Sequence, residues 1–266
     1  MFMRIEKGRL WTRYNKIQQA EPTERVSNLD GSLYAVLFNA NQGIHSRNLA
    51  LVYHSLIDAG VSDANISVLE GEGITQNIFV DKPATIKSLD SVVDSIRQKA
   101  TPNDRLLVYV TNYGSIVNGQ CKVEAYGGTI WEKDFEQIMQ NLPINFGLFY
   151  FGQCSSKGFA ERMGYGRNIG ISNVLREEEA LGQRGTGLVK SIGSHFTHYL
   201  FPKILKKGIT IEQGFDSAVK KTSIFRFLLD PINHNLSDEI PQLRWQNADP
   251  SQLYLGFPPS SKKWRS

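Results

Sequence analysis

Cysteine is scarce in this chain: Cys121 and Cys154 are the only two among 266 residues. Two thiols make neither a disulfide framework nor a metal site, and they fit a reducing compartment. Long apolar runs are missing too, so nothing in the sequence reads as a membrane span or as a membrane partner. The basic stretch 1–16 lacks the apolar centre of a signal peptide. The chain therefore reads as a soluble cytoplasmic protein, with secretion by a signal-less route left open. Charge of one sign is also absent: 30 basic against 26 acidic residues leave a net charge of +4. The densest basic stretches, 203–207 and 262–265, are short and carry no interleaved aromatic stripe, which argues against nucleic acid as a partner. No strand is followed by a Gly-rich phosphate loop opening a helix, so a nucleotide- or flavin-binding domain is disfavoured and no cofactor is expected. There are no repeats and no low-complexity tract.

What is present is a globular composition, with 41% hydrophobic and 21% charged residues, which excludes wholesale disorder. Continuous apolar runs at 33–39, 66–69, 106–111, 146–151 and 168–172 read as buried strands. Between them lie helical patterns. Leu49, Val52, Tyr53, Leu56 and Ile57 form one stripe, stopped by Gly60. Pro83 opens a second helix with Ile86, Leu89, Val93 and Ile96 inward, and a third places Phe135, Ile138, Met139 and Leu142 inward. Residues 121–126 and 129–131 flank Gly127-Gly128, a hairpin signal. Helices are expected over 188–201 and 211–229, before a Pro-punctuated tail. Residues 1–30 are polar and read as an N-terminal extension, a leader or a short helix packed outside a domain spanning 31–266.

Strands alternating with helices imply βαβ units, hence an α/β fold with a mostly parallel sheet covered on both faces. Sites in such sheets form beyond the carboxyl ends of the strands. The loops 39–47, 112–115 and 152–158 all fall there.

These loops carry the chemistry-bearing residues. Acyl transfer by cysteine needs a thiolate, a base that also serves as acid for the leaving amine, and donors for the oxyanion. Cys154 stands at a strand end followed by small residues and suits the nucleophile, whereas Cys121 falls in the hairpin and reads as structural. The two strands, one ending in Thr111-Asn112-Tyr113-Gly114-Ser115 and the other in Gly152-Gln153-Cys154-Ser155-Ser156, resemble the legumain and caspase clan of cysteine peptidases. The legumain-like branch is the nearest, over roughly residues 33–205. The resemblance implies a caspase/legumain-like α/β fold, a peptide or protein substrate or partner, and an oxyanion hole from the N–H groups of Gly114 and Cys154. It places Arg47 in the specificity pocket.

The sequence departs from that pattern at the base. Tyr113 occupies the position of the catalytic histidine, and His45 stands where the pattern has the asparagine that orients it. A phenol, with a reference pKa near ~10, is a poor base for a thiol at neutral pH, and losing such a base costs on the order of 10² to 10⁴ in rate. Two readings follow. One is a peptidase-like domain with a broken dyad that binds a peptide or protein partner with weak or no hydrolysis. The other is an active cysteine endopeptidase in which His45 is the surrogate base for Cys154. The plainer reading of His45 is a loop residue bonded to a neighbouring carbonyl. Gly152 and Gln153 also replace the residues usual before the nucleophile. Glu178 and Glu179 in the acidic stretch 176–179 are candidates for the wall of a mixed-charge pocket, or for a solvated loop.

Overall fold

The computed structural model describes residues 15–18, 31–41, 44–73, 80–173, 195–229 and 241–256. In chain order the strands are β1 (Asn15–Gln18), β2 (Leu33–Asn39), β3 (Ile66–Glu70), β4 (Arg105–Val110), β5 (Gly114–Val117), β6 (Gln120–Ala125), β7 (Gly128–Trp131), β8 (Phe146–Phe151), β9 (Asn168–Ser172) and β10 (Gln242–Trp245). The helices are α1 (Ile44–Asp58), α2 (Ile86–Lys99), α3 (Glu132–Met139), α4 (Lys157–Met163), α5 (His195–Ile204) and α6 (Ile211–Leu229).

The main sheet has the order β1-β10-β9-β8-β4-β2-β3. Strands β9, β8, β4, β2 and β3 run the same way, β10 opposes β9, and β1 lies parallel to β10. Every residue of β4 and β8 is buried, as expected of central strands covered on both faces. One face carries Leu107, Tyr109, Leu148 and Tyr150 under α1, α5 and α6. The other carries Val108, Val110, Phe149 and Phe151 under α2, α3, α4 and the small sheet β5-β6-β7. The protein is thus an α/β fold with a mostly parallel sheet between two helical layers.

Several expectations need correction. In α1 the buried stripe is Leu49, Val52 and Leu56, while Ile57 is exposed on its shoulder beside the half-buried Tyr53. In α2 the residue turned to solvent is Ile86, in the first turn, and Val92 joins Leu89, Val93 and Ile96 in the core. Within the supposed N-terminal extension, Asn15–Gln18 is an edge strand of the main sheet. The tail likewise contributes β10, whose Leu243 is fully buried. Both segments are too short to show a period of their own, and pairing makes them strands: β10 against β9, and β1 against β10. The expected helix over 188–201 appears as α5 over His195–Ile204, and its first part lies outside the described residues.

The amino ends of the strands are closed by a polar clamp. Asp104 accepts from Ser32 N (2.6 Å) and Thr101 N (2.7 Å). The buried Arg105 guanidinium donates to the carbonyls of Gly31 (3.0 Å), Tyr254 (3.1 Å), Leu255 (2.9 Å) and Gly256 (2.6 Å). Function has to be sought at the opposite ends.

Candidate active site

At the carboxyl ends of β2, β4 and β8 the chain continues as the loop into α1, the loop into β5 and the loop into α4. Two ladder bonds carry the strand pairing past its nominal end. Thr111 N donates to Phe38 O (3.0 Å), and Gly152 N donates to Val110 O (2.8 Å). Strand alternation then puts Thr111 on the same face as Leu107 and Tyr109, the face that α1 covers.

His45 lies in the first turn of α1, and its Nδ1 is hydrogen-bonded to Thr111 Oγ1 at 3.1 Å. The bond runs to a side-chain hydroxyl on the neighbouring strand end, rather than to a local carbonyl in a loop. The imidazole also meets the Tyr113 ring edge-on, with centroids 5.3 Å apart and planes at 80°. Burial lowers the pKa of His45 from its ordinary value, so the ring is neutral at neutral pH. One nitrogen of a neutral imidazole is a donor and the other an acceptor. If Nδ1–H donates to Thr111, Nε2 is the basic nitrogen. Tyr113 itself is 53% exposed.

Gly114 meets the loop that carries Cys154. A Cβ built on Gly114 would overlap the Cys154 carbonyl oxygen and come within 2.7 Å of Gln153 Cγ, so only glycine lets the two strand ends approach this closely. The backbone around Gly114 is oriented by the small sheet. Its register pairs Gly114 with Val123 and Val117 with Gln120. The bond from Glu124 N to Tyr113 O (3.0 Å) sets the phase of the ladder. In an antiparallel ladder bonded and non-bonded pairs alternate. Tyr113, Ser115 and Val117 therefore turn their backbone groups to β6, and Gly114 turns its N–H and C=O away from it. That leaves the Gly114 N–H without a partner on β6, as an oxyanion donor requires. Asn112 braces the turn through Nδ2 to Glu124 O (2.8 Å).

On the other side, Cys154 is partly exposed and the residue after it, Ser155, has φ 54°, a left-handed backbone uncommon outside glycine. Gln153 is 1% exposed, and neither amide atom of its side chain has a hydrogen-bond partner among the described residues. The buried Ser156 and Ser172 hydroxyls are in the same condition. Buried unpartnered polar groups and a strained backbone carry a cost, and both concentrate at functional sites.

His45, Tyr113, Gly114 and Cys154 are therefore gathered at one end of the sheet. Arg47 lies two residues after His45 in the first turn of α1, with its side chain exposed. Gly152 serves the ladder: its N–H is taken by Val110, and a Cβ there would come within 3.1 Å of the Tyr150 ring. Glu178 and Glu179 lie outside the described residues. Cys121 is fully buried on β6, as its hairpin position implied. Thr111 was missed as a site residue. Its place immediately before Asn112-Tyr113 was visible, but the identity of its partner, 66 positions away, was not.

Among the described residues no three His, Cys, Asp or Glu side chains cluster as a metal would require, and no helix is long and apolar enough to cross a membrane. No protein-family model and no curated protein sequence matches the chain.

Proposed function

We propose that this is a cysteine-peptidase-like domain of the legumain/caspase type, binding an extended peptide or protein partner at the carboxyl ends of β2, β4 and β8, with weak or no hydrolysis. The observation that carries this reading is the Tyr113–His45–Thr111 arrangement. The base position holds an exposed phenol, while the nearby imidazole bonds Thr111 through Nδ1 and meets the Tyr113 ring edge-on. Gly114 on the Cys154 peptide supports an acyl-transfer ancestry for the cleft. A phenol neither takes the thiol proton at neutral pH nor returns one efficiently to a leaving amine.

One observation favours the second reading, an active endopeptidase with His45 as surrogate base. The Thr111 bond fixes the imidazole, and burial keeps it neutral, which is the state a base needs at neutral pH.

Fluorogenic peptides with Asn, Asp, Arg or Lys at the cleaved position decide between them. The wild type is expected to turn over little, and Tyr113→His to raise the rate by on the order of 10². Robust wild-type cleavage that is abolished by Cys154→Ala overturns the first reading. Loss of that cleavage in His45→Ala then assigns the base.

A further inference from the structure

The small sheet β5-β6-β7 has an outer edge that ends at the cleft, and that edge has the chemistry to take a peptide strand. β5 pairs with β6 alone, and its other side makes no backbone hydrogen bond among the described residues. The hairpin joining the two strands turns at Asn118 (φ 50°) and Gly119 (φ 75°), two left-handed residues that make a type I′ turn. Such a turn closes on a hydrogen-bonded pair, here Val117 with Gln120, which agrees with the phase set by the Glu124 to Tyr113 bond. It follows that Ile116 and Gly114 present their N–H and C=O groups outward.

We propose that the outer edge of β5 is a strand-addition site. An extended peptide would pair with Ile116 and with the Gly114 carbonyl, so that its chain is led to the point where Gly114 rests on the Cys154 peptide. This inference rests on the peptide-binding reading above and deepens it by naming the backbone that holds the peptide.

Side chains specify what kind of peptide fits. Ile116 packs on the core beside Cys121, whereas Tyr113, Ser115 and Val117 stand on the solvent face, with Tyr113 and Val117 both exposed. Tyr113, just before β5, and Val117, four positions on along the same face, each offer cross-strand contact to a β-branched or aromatic side chain laid beside it. The neighbouring row across the sheet is Ser115, Lys122 and Trp131, with Lys122 Nζ 5.9 Å from the Trp131 ring centre. The occupant is an uncharged extended peptide with β-branched or aromatic residues at every second position. The β3 edge of the main sheet, by contrast, is closed to such pairing: the Val68 N–H is taken by the Asp81 carboxylate (2.7 Å), and its carbonyl accepts from Asp81 N (2.9 Å). Edge strands are commonly blunted in this way, and β5 is not.

The test uses the full wild-type chain and a fluorescein-labelled hexapeptide of alternating Val and Thr ending in Asn. Amide hydrogen exchange is followed residue by residue, free and at saturation, alongside the dissociation constant from fluorescence polarisation. In the free protein the Gly114 and Ile116 amides should exchange quickly and those of Ser115 and Val117 slowly. On binding, Ile116 should slow at least tenfold while Ser115 and Val117 hardly change. N-methylating the peptide at every second residue should weaken binding tenfold or more in one phase and little in the other. Saturable binding without slowing at Ile116, or with both N-methyl phases equally weak, overturns the edge site and leaves the peptide-binding reading standing. Absence of saturable binding overturns both.

Discussion

The two ends of the main sheet are built to opposite rules. At the amino ends, Asp104 and Arg105 are buried, and the Asp104 carboxylate and the two terminal guanidinium nitrogens of Arg105 bond to the backbone of residues 31–32, 101 and 254–256. At the carboxyl ends, Gln153, Ser156 and Ser172 are buried with polar atoms unpartnered among the described residues, and Ser155 holds a left-handed backbone. A buried donor or acceptor left without a partner forfeits about 1–3 kcal/mol, and a left-handed non-glycine residue costs about 1–2 kcal/mol. One end therefore ties distant segments of the chain together, and the other holds more buried polar atoms without partners among the described residues. In an α/β sheet that asymmetry marks the carboxyl end as the place where chemistry or binding happens.

The contrast is broken most severely at the clamp. Arg105→Met should strip the tail carbonyls of their donor and cost about 3 kcal/mol or more, read from the urea midpoint at unchanged slope. Next comes the meeting point of the two strand ends. Gly114→Ala forces a methyl against the Cys154 carbonyl oxygen and Gln153, and should cost about 1–3 kcal/mol by the same measurement. Gln153→Met sharpens the comparison from the other side. It removes a buried amide without hydrogen-bond partners among the described residues and keeps the volume, so stability should stay within about 1 kcal/mol or rise. A loss as large as that of Arg105→Met would mean the Gln153 amide is part of the scaffold after all.

The smallest effect is the pH dependence contributed by His45. Its folded-state pKa lies below the ordinary value of 6.5, so the unfolded chain binds the proton more readily. Its contribution is flat above about pH 6.5. Stability is lost as pH falls from there towards the folded-state value. His45→Gln should flatten that part of the stability profile, measured as the difference between variant and wild type. An identical slope in both would show that the Thr111-bonded ring does not resist protonation.

Part of this site was legible beforehand. The apolar runs ending at Thr111 and Phe151, with Tyr113-Gly114 beyond the first and Cys154 beyond the second, needed only period and punctuation. The convergence of the three loops followed from βαβ order. Strand β5 has a hairpin signal at Asn118-Gly119, but at four residues it is too short to declare a period of its own. Helix α4, at seven residues, is shorter than any period can declare.

Local chemistry along the chain encodes the elements and their ends. It set the extent of β2 and β8, the limits of α6, the stop at Gly60 with its φ of 84°, and the absence of a histidine at position 113. Tertiary structure alone decided the pairings that join distant segments: the N-terminal strand against the tail, His45 against Thr111, Gly114 against the Cys154 peptide. The physical reason is range. Periodicity and capping are fixed by neighbours within a few residues, whereas a contact across tens of residues is chosen by the packing of whole elements, which no window of the chain contains.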